Sequence, residues 1–177
     1  MTRYRMGMTP SAAHASGDGR DAGHDTMQLQ VLNWLNHYSA NQTFKLSNGR
    51  EYNIGGTLVE YPLREYHYGR AAGSPLGYAD IGQWFYFDPE RGGRQLAFRF
   101  FELKPKLHSV GGLIRQCRAL SCLAERIAVT LGFCAEYEVI PVVPHDDPKF
   151  VLLTSLFEGR VIGWDSERGI ARRNFGK

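Results

Sequence analysis

At 177 residues and 20.0 kDa, with 43% hydrophobic and 12% aromatic residues, the chain suits one domain whose core needs no disulfide or metal staple. A mean hydropathy of −0.34, no apolar run near the roughly 20 residues of a membrane helix, no apolar leader and an odd count of three cysteines argue against a membrane, secreted or disulfide-framed protein. Net charge is +3, but residues 1–88 carry seven basic and eight acidic side chains and residues 89–177 carry fourteen and ten, a mild excess that fits a nucleic-acid surface or a solvated face.

Residues 1–26 hold glycine, serine, aspartate and histidine without a hydrophobic period, and read as a disordered tail. Met27 to Ala40 reads as a helix, with Val31, Leu35 and Tyr38 on one face and Asp25 or Thr26 as its cap. Phe44 to Ile54 reads as a hairpin turning at Asn48-Gly49 and ended by Gly55-Gly56. Thr57 to Tyr66 is a further strand containing Pro62, and His67 to Gly77 a loop. Tyr78 to Phe87 and Gln95 to Lys104 are two aromatic-rich strands, joined by the turn Asp88 to Arg94 and stopped by Pro105.

Ser109 to Leu131 is the clearest helix. Ser109 can cap it, Gly132 can end it, and Leu113, Cys117, Leu120, Ala124, Ile127 and Leu131 recur every three or four residues. Tyr137 to Val143 follows as a short strand, Pro148 to Phe157 as a short helix and Arg160 to Trp164 as a last strand. Ser166 to Lys177 reads as a basic tail with Arg168, Arg172 and Arg173. The expected organisation is one α/β (α+β) domain over residues 27–165, built on a mixed sheet.

The chemistry concentrates on the central hairpin. Facing Phe87 with Gln95 puts Asp80 directly opposite Glu102 on antiparallel strands. Side chains so opposed have Cβ atoms about 4.5–5.5 Å apart, near enough for two carboxylates to share one hard cation at about 2.0–2.6 Å. Like charges there are unfavourable unless a proton or cation intervenes. Lys104, two residues beyond Glu102 on the same face, is one positive charge against two negative ones. A register slip of one residue would separate the carboxylates.

The segments Tyr78-Ala-Asp80-Ile-Gly, Phe100-Phe-Glu102-Leu-Lys104-Pro and Gly111-Gly-Leu-Ile-Arg-Gln116 together resemble the PD-(D/E)xK phosphodiesterase superfamily, closest to its RecB-like and transposon-end nuclease branches. The likeness covers about residues 57–164. It implies a restriction-endonuclease-like mixed sheet flanked by helices in αβββαβ order, acting on DNA with Mg²⁺ or Mn²⁺. Asp80, Glu102 and the Leu103 carbonyl would be metal ligands. Lys104 would assist attack by water, and Gln116 would support the site or contact phosphate. Two positions depart from the pattern: residues 27–40 contain no acid, which leaves Glu60 or Glu65 as the additional carboxylate, and Leu120 stands where a tyrosine is usual.

Arg115 and Arg118 are candidate phosphate contacts or a solvated helix face. Tyr61, Tyr66, His67, Tyr68 and Arg70 interleave aromatic and basic groups, which can stack bases or pack over a sheet edge. Cys117 and Cys134 read as core, His14 and His24 as tail, and no phosphate-loop fingerprint is present. The expected activity is that of a cytoplasmic metal-dependent nuclease with DNA as substrate, alone, as a homodimer or within a larger DNA-processing complex. The alternative is an inactive nuclease-fold accessory subunit, and beyond it an unrelated α+β interaction domain.

Overall fold

The computed structural model describes residues 22–38, 43–47, 49–67, 70–87, 95–132 and 134–174. Within them the chain runs α1 (Ala22–His37), β1 (Thr43–Lys45), β2 (Glu51–His67), β3 (Arg70–Phe87), β4 (Gln95–Leu103), α2 (Val110–Leu131), β5 (Cys134–Pro144), α3 (Phe150–Leu156), β6 (Val161–Asp165) and β7 (Gly169–Asn174). The strands form one seven-stranded mixed sheet in sequence order. β4–β5 and β5–β6 are parallel; the other neighbours are antiparallel. The fold is thus mixed α+β, and its element order is longer than the αβββαβ order that the resemblance implies.

The middle strand, β4, reads Leu96-Ala-Phe-Arg-Phe-Phe-Glu-Leu103 and is buried from Ala97 to Leu103. Covered on both faces, it has no polar alternation to show. On one face Phe101, Leu103, Ile81, Ile140 and Val142 meet Met27, Val31 and Leu35 of α1. On the other, Phe98 and Phe100 meet Leu120, Ala124, Ile127 and Leu131 of α2. Leu113 and Cys117 continue that stripe into a third cluster with Phe150, Leu153 and Val161.

α2 matches its expectation closely. Ser109 accepts a hydrogen bond from the Gly112 N–H at its start, Gly132 closes it at φ 71°, and the six stripe residues are its buried set. Truncating one of the large ones, Leu120→Ala, should cost about 2–5 kcal/mol.

A buried cation is built into the sheet. Arg99 is 8% exposed and pairs with Glu138 on β5. Its guanidinium lies 5.4 and 5.1 Å from the ring centres of Phe44 and Phe85, and it donates to the Gln83 side chain at 3.4 Å. Pairing and stacking offset the desolvation of that cation.

The structure corrects several expectations. α1 begins at Ala22, so residues 22–26 are helical; residues 1–21 lie outside the described part. Gly55-Gly56 does not end a strand, because β2 runs on through Pro62 to His67. The expected loop from His67 to Gly77 is mostly strand: Glu65↔Ala72 and His67↔Arg70 are paired. β2 and β3 therefore extend beyond the end of β4 as a long arm. It packs on α2 through Leu63, through an Arg126–Glu65 ion pair and through a 3.2 Å bond from the Tyr66 N–H to Thr130 Oγ1. The basic tail is also strand, since Gly169 to Asn174 pairs with β6 as an edge.

Candidate functional site

The β3–β4 register is the expected one, Phe87↔Gln95 through Ile81↔Phe101. The next residues are Asp80 and Glu102. At this point the β2–β3 arm turns over. Val59 and Ile81, which are paired, pack toward α1, whereas the next pair but one, Tyr61 and Ala79, packs toward α2. Residues two apart on a strand ordinarily share a face. The reversal falls on Glu60 and Asp80, and Glu60 absorbs it with a left-handed φ of 49°. A non-glycine residue there is strained, as often occurs at functional sites.

The reversal frees Asp80 from the sheet's alternation. Its Oδ2 accepts a 2.7 Å hydrogen bond from the Leu103 N–H, so a side chain closes the ladder just past its last pair. Two α1 residues one turn apart hold it from the other side. Gln28 Nε2 donates to the Asp80 carbonyl at 3.0 Å, and His24 Nε2 lies 3.4 Å from Asp80 Oδ1.

Glu102 is 8% exposed and accepts from Lys104 Nζ at 2.6 Å. Burial, then the Asp80 charge, raises its pKa above the usual 4.5, against the opposing pull of Lys104 and His24. α2 passes over the same point. Burial, then the Glu102 charge, pushes the Cys117 thiol up to about 12. Asp80, Glu102, Lys104 and His24 thus form one electrostatic unit at the junction of β3, β4 and α1.

The other candidates are placed less centrally. Leu103 contributes its N–H to Asp80 while its side chain lies in the core. Gln116, Arg115 and Arg118 are exposed on the N-terminal half of α2. Glu60 lies on β2 between Val59 and Tyr61, whose partners Ile81 and Ala79 flank Asp80. Glu65 is instead paired with Arg126. Tyr66 and Arg70 are not beside the carboxylates: six residues of strand, about 20 Å, separate Tyr66 from Glu60. His24 is the residue that sequence reasoning missed, because it was assigned to the tail; its spacing of four from Gln28 and of three and seven from Met27 and Val31 is the signal that places it on α1.

Asp80, Glu102 and His24 are donors of the type that hold a divalent ion. Among the described residues, however, no three or more His, Cys, Asp or Glu side chains converge into a ready-made metal cage. Beside the site opens a cavity of about 800 Å³ that touches Gly23 and Pro105, the neighbours of His24 and Lys104. Its walls include Asp146, Asp147, Asp165 and Glu167. No described helix is long and apolar enough to cross a membrane. Neither a family model, nor a curated protein, nor a solved structure matches the chain.

Proposed function

We propose that the chain is a metal-dependent nuclease of the PD-(D/E)xK, restriction-endonuclease-like kind, hydrolysing phosphodiester bonds in DNA in the cytoplasm. One observation carries this reading: Asp80, opposite the strained backbone of Glu60, accepts from the Leu103 N–H, next in sequence to a buried Glu102 that carries Lys104. Neighbouring carboxylates are unfavourable until a cation joins them; burial first, and then the Asp80 charge, raises Glu102's pKa.

The residues divide the work as follows. Asp80 and Glu102 would hold Mg²⁺ or Mn²⁺, with the Leu103 carbonyl as a supplementary donor and Glu60 as the additional acid. When bound, the ion acidifies water and neutralises phosphoryl oxygens. Lys104, which pairs with Glu102, would place its charge beside the attacking water and the phosphate. Gln116, Arg115 and Arg118, exposed on α2, take the neighbouring phosphates.

Plasmid, linear duplex and single-stranded DNA incubated with Mn²⁺, Mg²⁺ or EDTA test this, with Glu102→Ala and Lys104→Ala alongside. The expected result is metal-dependent cutting lost in both variants; cutting that survives Glu102→Ala refutes it. The second reading is an accessory subunit that binds DNA without turnover in a larger DNA-processing complex. The absence of three converging ligands among the described residues favours it. A Mn²⁺ titration separates the two: saturable binding lost in Asp80→Asn supports the enzyme, and no binding supports the subunit.

A further inference from the structure

On the α2 side of the sheet, two aromatic side chains pack over glycines of the neighbouring strand. A Cβ added to Gly55 or Gly56 of β2 would come inside 3.0 Å of the Trp84 indole from β3. A Cβ added to Gly82 of β3 would do the same with the Tyr61 ring from β2. The two rings are 6.1 Å apart at 49°. Both are only partly buried, and with Tyr66 they line an open groove of about 470 Å³ at the C-terminal end of α2.

Charge separates this groove from the cavity beside the carboxylates. Among the described residues lining the groove the one ionisable cation is Arg64, which donates to the Gly73 carbonyl at 2.8 Å, and no carboxylate lines it. The cavity is walled by four carboxylates against Lys106. The groove carries none of the carboxylates that oppose a polyanion on the cavity's walls.

We infer that the groove is a base-stacking shelf for a single DNA strand, a contact separate from the carboxylate site. The inference rests on the nuclease reading for the identity of the polyanion. Partly exposed aromatic rings beside an arginine suit single strands, since every base offers a π-face and stacking needs no sequence. Cys117, near Glu102, and Leu131, in the groove, are fourteen residues apart on α2, about 20 Å. At 3.4 Å per stacked nucleotide that is about six nucleotides.

The test uses the full chain in EDTA, where nothing is cut, and fluorescence anisotropy with labelled oligothymidylates of twenty and four nucleotides. The longer strand should bind more tightly than the shorter. Trp84→Ala should weaken it roughly tenfold or more, and Trp84→Phe, which keeps a ring, by much less. Arg64→Glu, a partly exposed position, should weaken it and flatten its salt dependence. Unchanged affinity in Trp84→Ala and Arg64→Glu, with thermal melts showing both folded, overturns the shelf. The two readings fail separately. Asp80→Asn should keep strand binding and lose cutting; binding through Trp84 without any metal-dependent cutting leaves the shelf standing and removes the nuclease. Asp80-dependent cutting with Trp84→Ala binding like the parent removes the shelf alone.

Discussion

Replacing Glu102 with glutamine should make the protein more stable without metal and less stable with it. Glu102 is buried beside Asp80, and both conditions disfavour its ionised form. A carboxyl whose folded pKa exceeds its unfolded one contributes stability that is fully present below pH 4.5 and lost as pH rises through the raised value. Each unit of that raise costs about 1.4 kcal/mol at neutral pH, or roughly 3–5 °C of Tm in a chain of this size. Glutamine keeps the shape and an oxygen for Lys104 but no charge to desolvate. In EDTA at pH 8, Glu102→Gln should therefore melt above the parent, and the gap should close below pH 4.5. Mn²⁺ at a hundred times its Kd should then add about 2.7 kcal/mol to the parent and much less to a variant lacking one carboxylate, so the order inverts. Circular-dichroism melts across pH, with and without Mn²⁺, give both comparisons. A variant melting below the parent at pH 8 in EDTA refutes the burial and like-charge reasoning, and equal Mn²⁺ gains refute the metal assignment.

The remaining predictions concern other residues of the same frame. Thiol labelling at pH 8, mapped by mass spectrometry, should modify exposed Cys122 well before Cys117, whose thiol is buried with a pKa of about 12; equal rates would contradict that burial. Gly132→Ala should lower stability by about 1 kcal/mol in denaturant titrations, because the cap needs φ 71°. Gln116→Ala should leave Tm unchanged within the range of about ±0.5 kcal/mol for an exposed position while raising the KM for DNA; an unchanged KM removes Gln116 from phosphate contact.

The parts of this fold that were legible in sequence are those with a local period or a strong turn. α2 announces itself through a cap, a stripe and a left-handed glycine, all local features. The β3–β4 register follows from turn placement between two strands that have one consistent pairing, which runs from Phe87↔Gln95 to Ile81↔Phe101, the residues adjacent to Asp80 and Glu102. Gly55-Gly56 misled because paired glycines ordinarily end strands. Here they make room for Trp84, a partner contributed by another strand and invisible to any window along the chain. The arm and β7 were missed for a related reason. Residues 67–77 and 169–174 are poor strand formers by composition, and pairing to β2 and β6 overrides that preference.

The strained backbone at Glu60 links the legible and illegible parts. Without a change of face, Asp80 would follow the alternation of Gly82 and Trp84, with its carboxylate facing α2. The reversal turns the carboxylate to the end of β4, where it accepts from Leu103 and comes within 3.4 Å of His24. It also swings Leu63 and Ala79 onto α2, and their burial offsets a backbone strain of about 1–3 kcal/mol. One strained residue thus serves both the aspartate's position and the arm's packing. Relieving it through Glu60→Gly should therefore stabilise the arm's bend. Activity that survives that change would assign Glu60's importance to its backbone, and activity lost with the fold intact would assign it to the carboxylate.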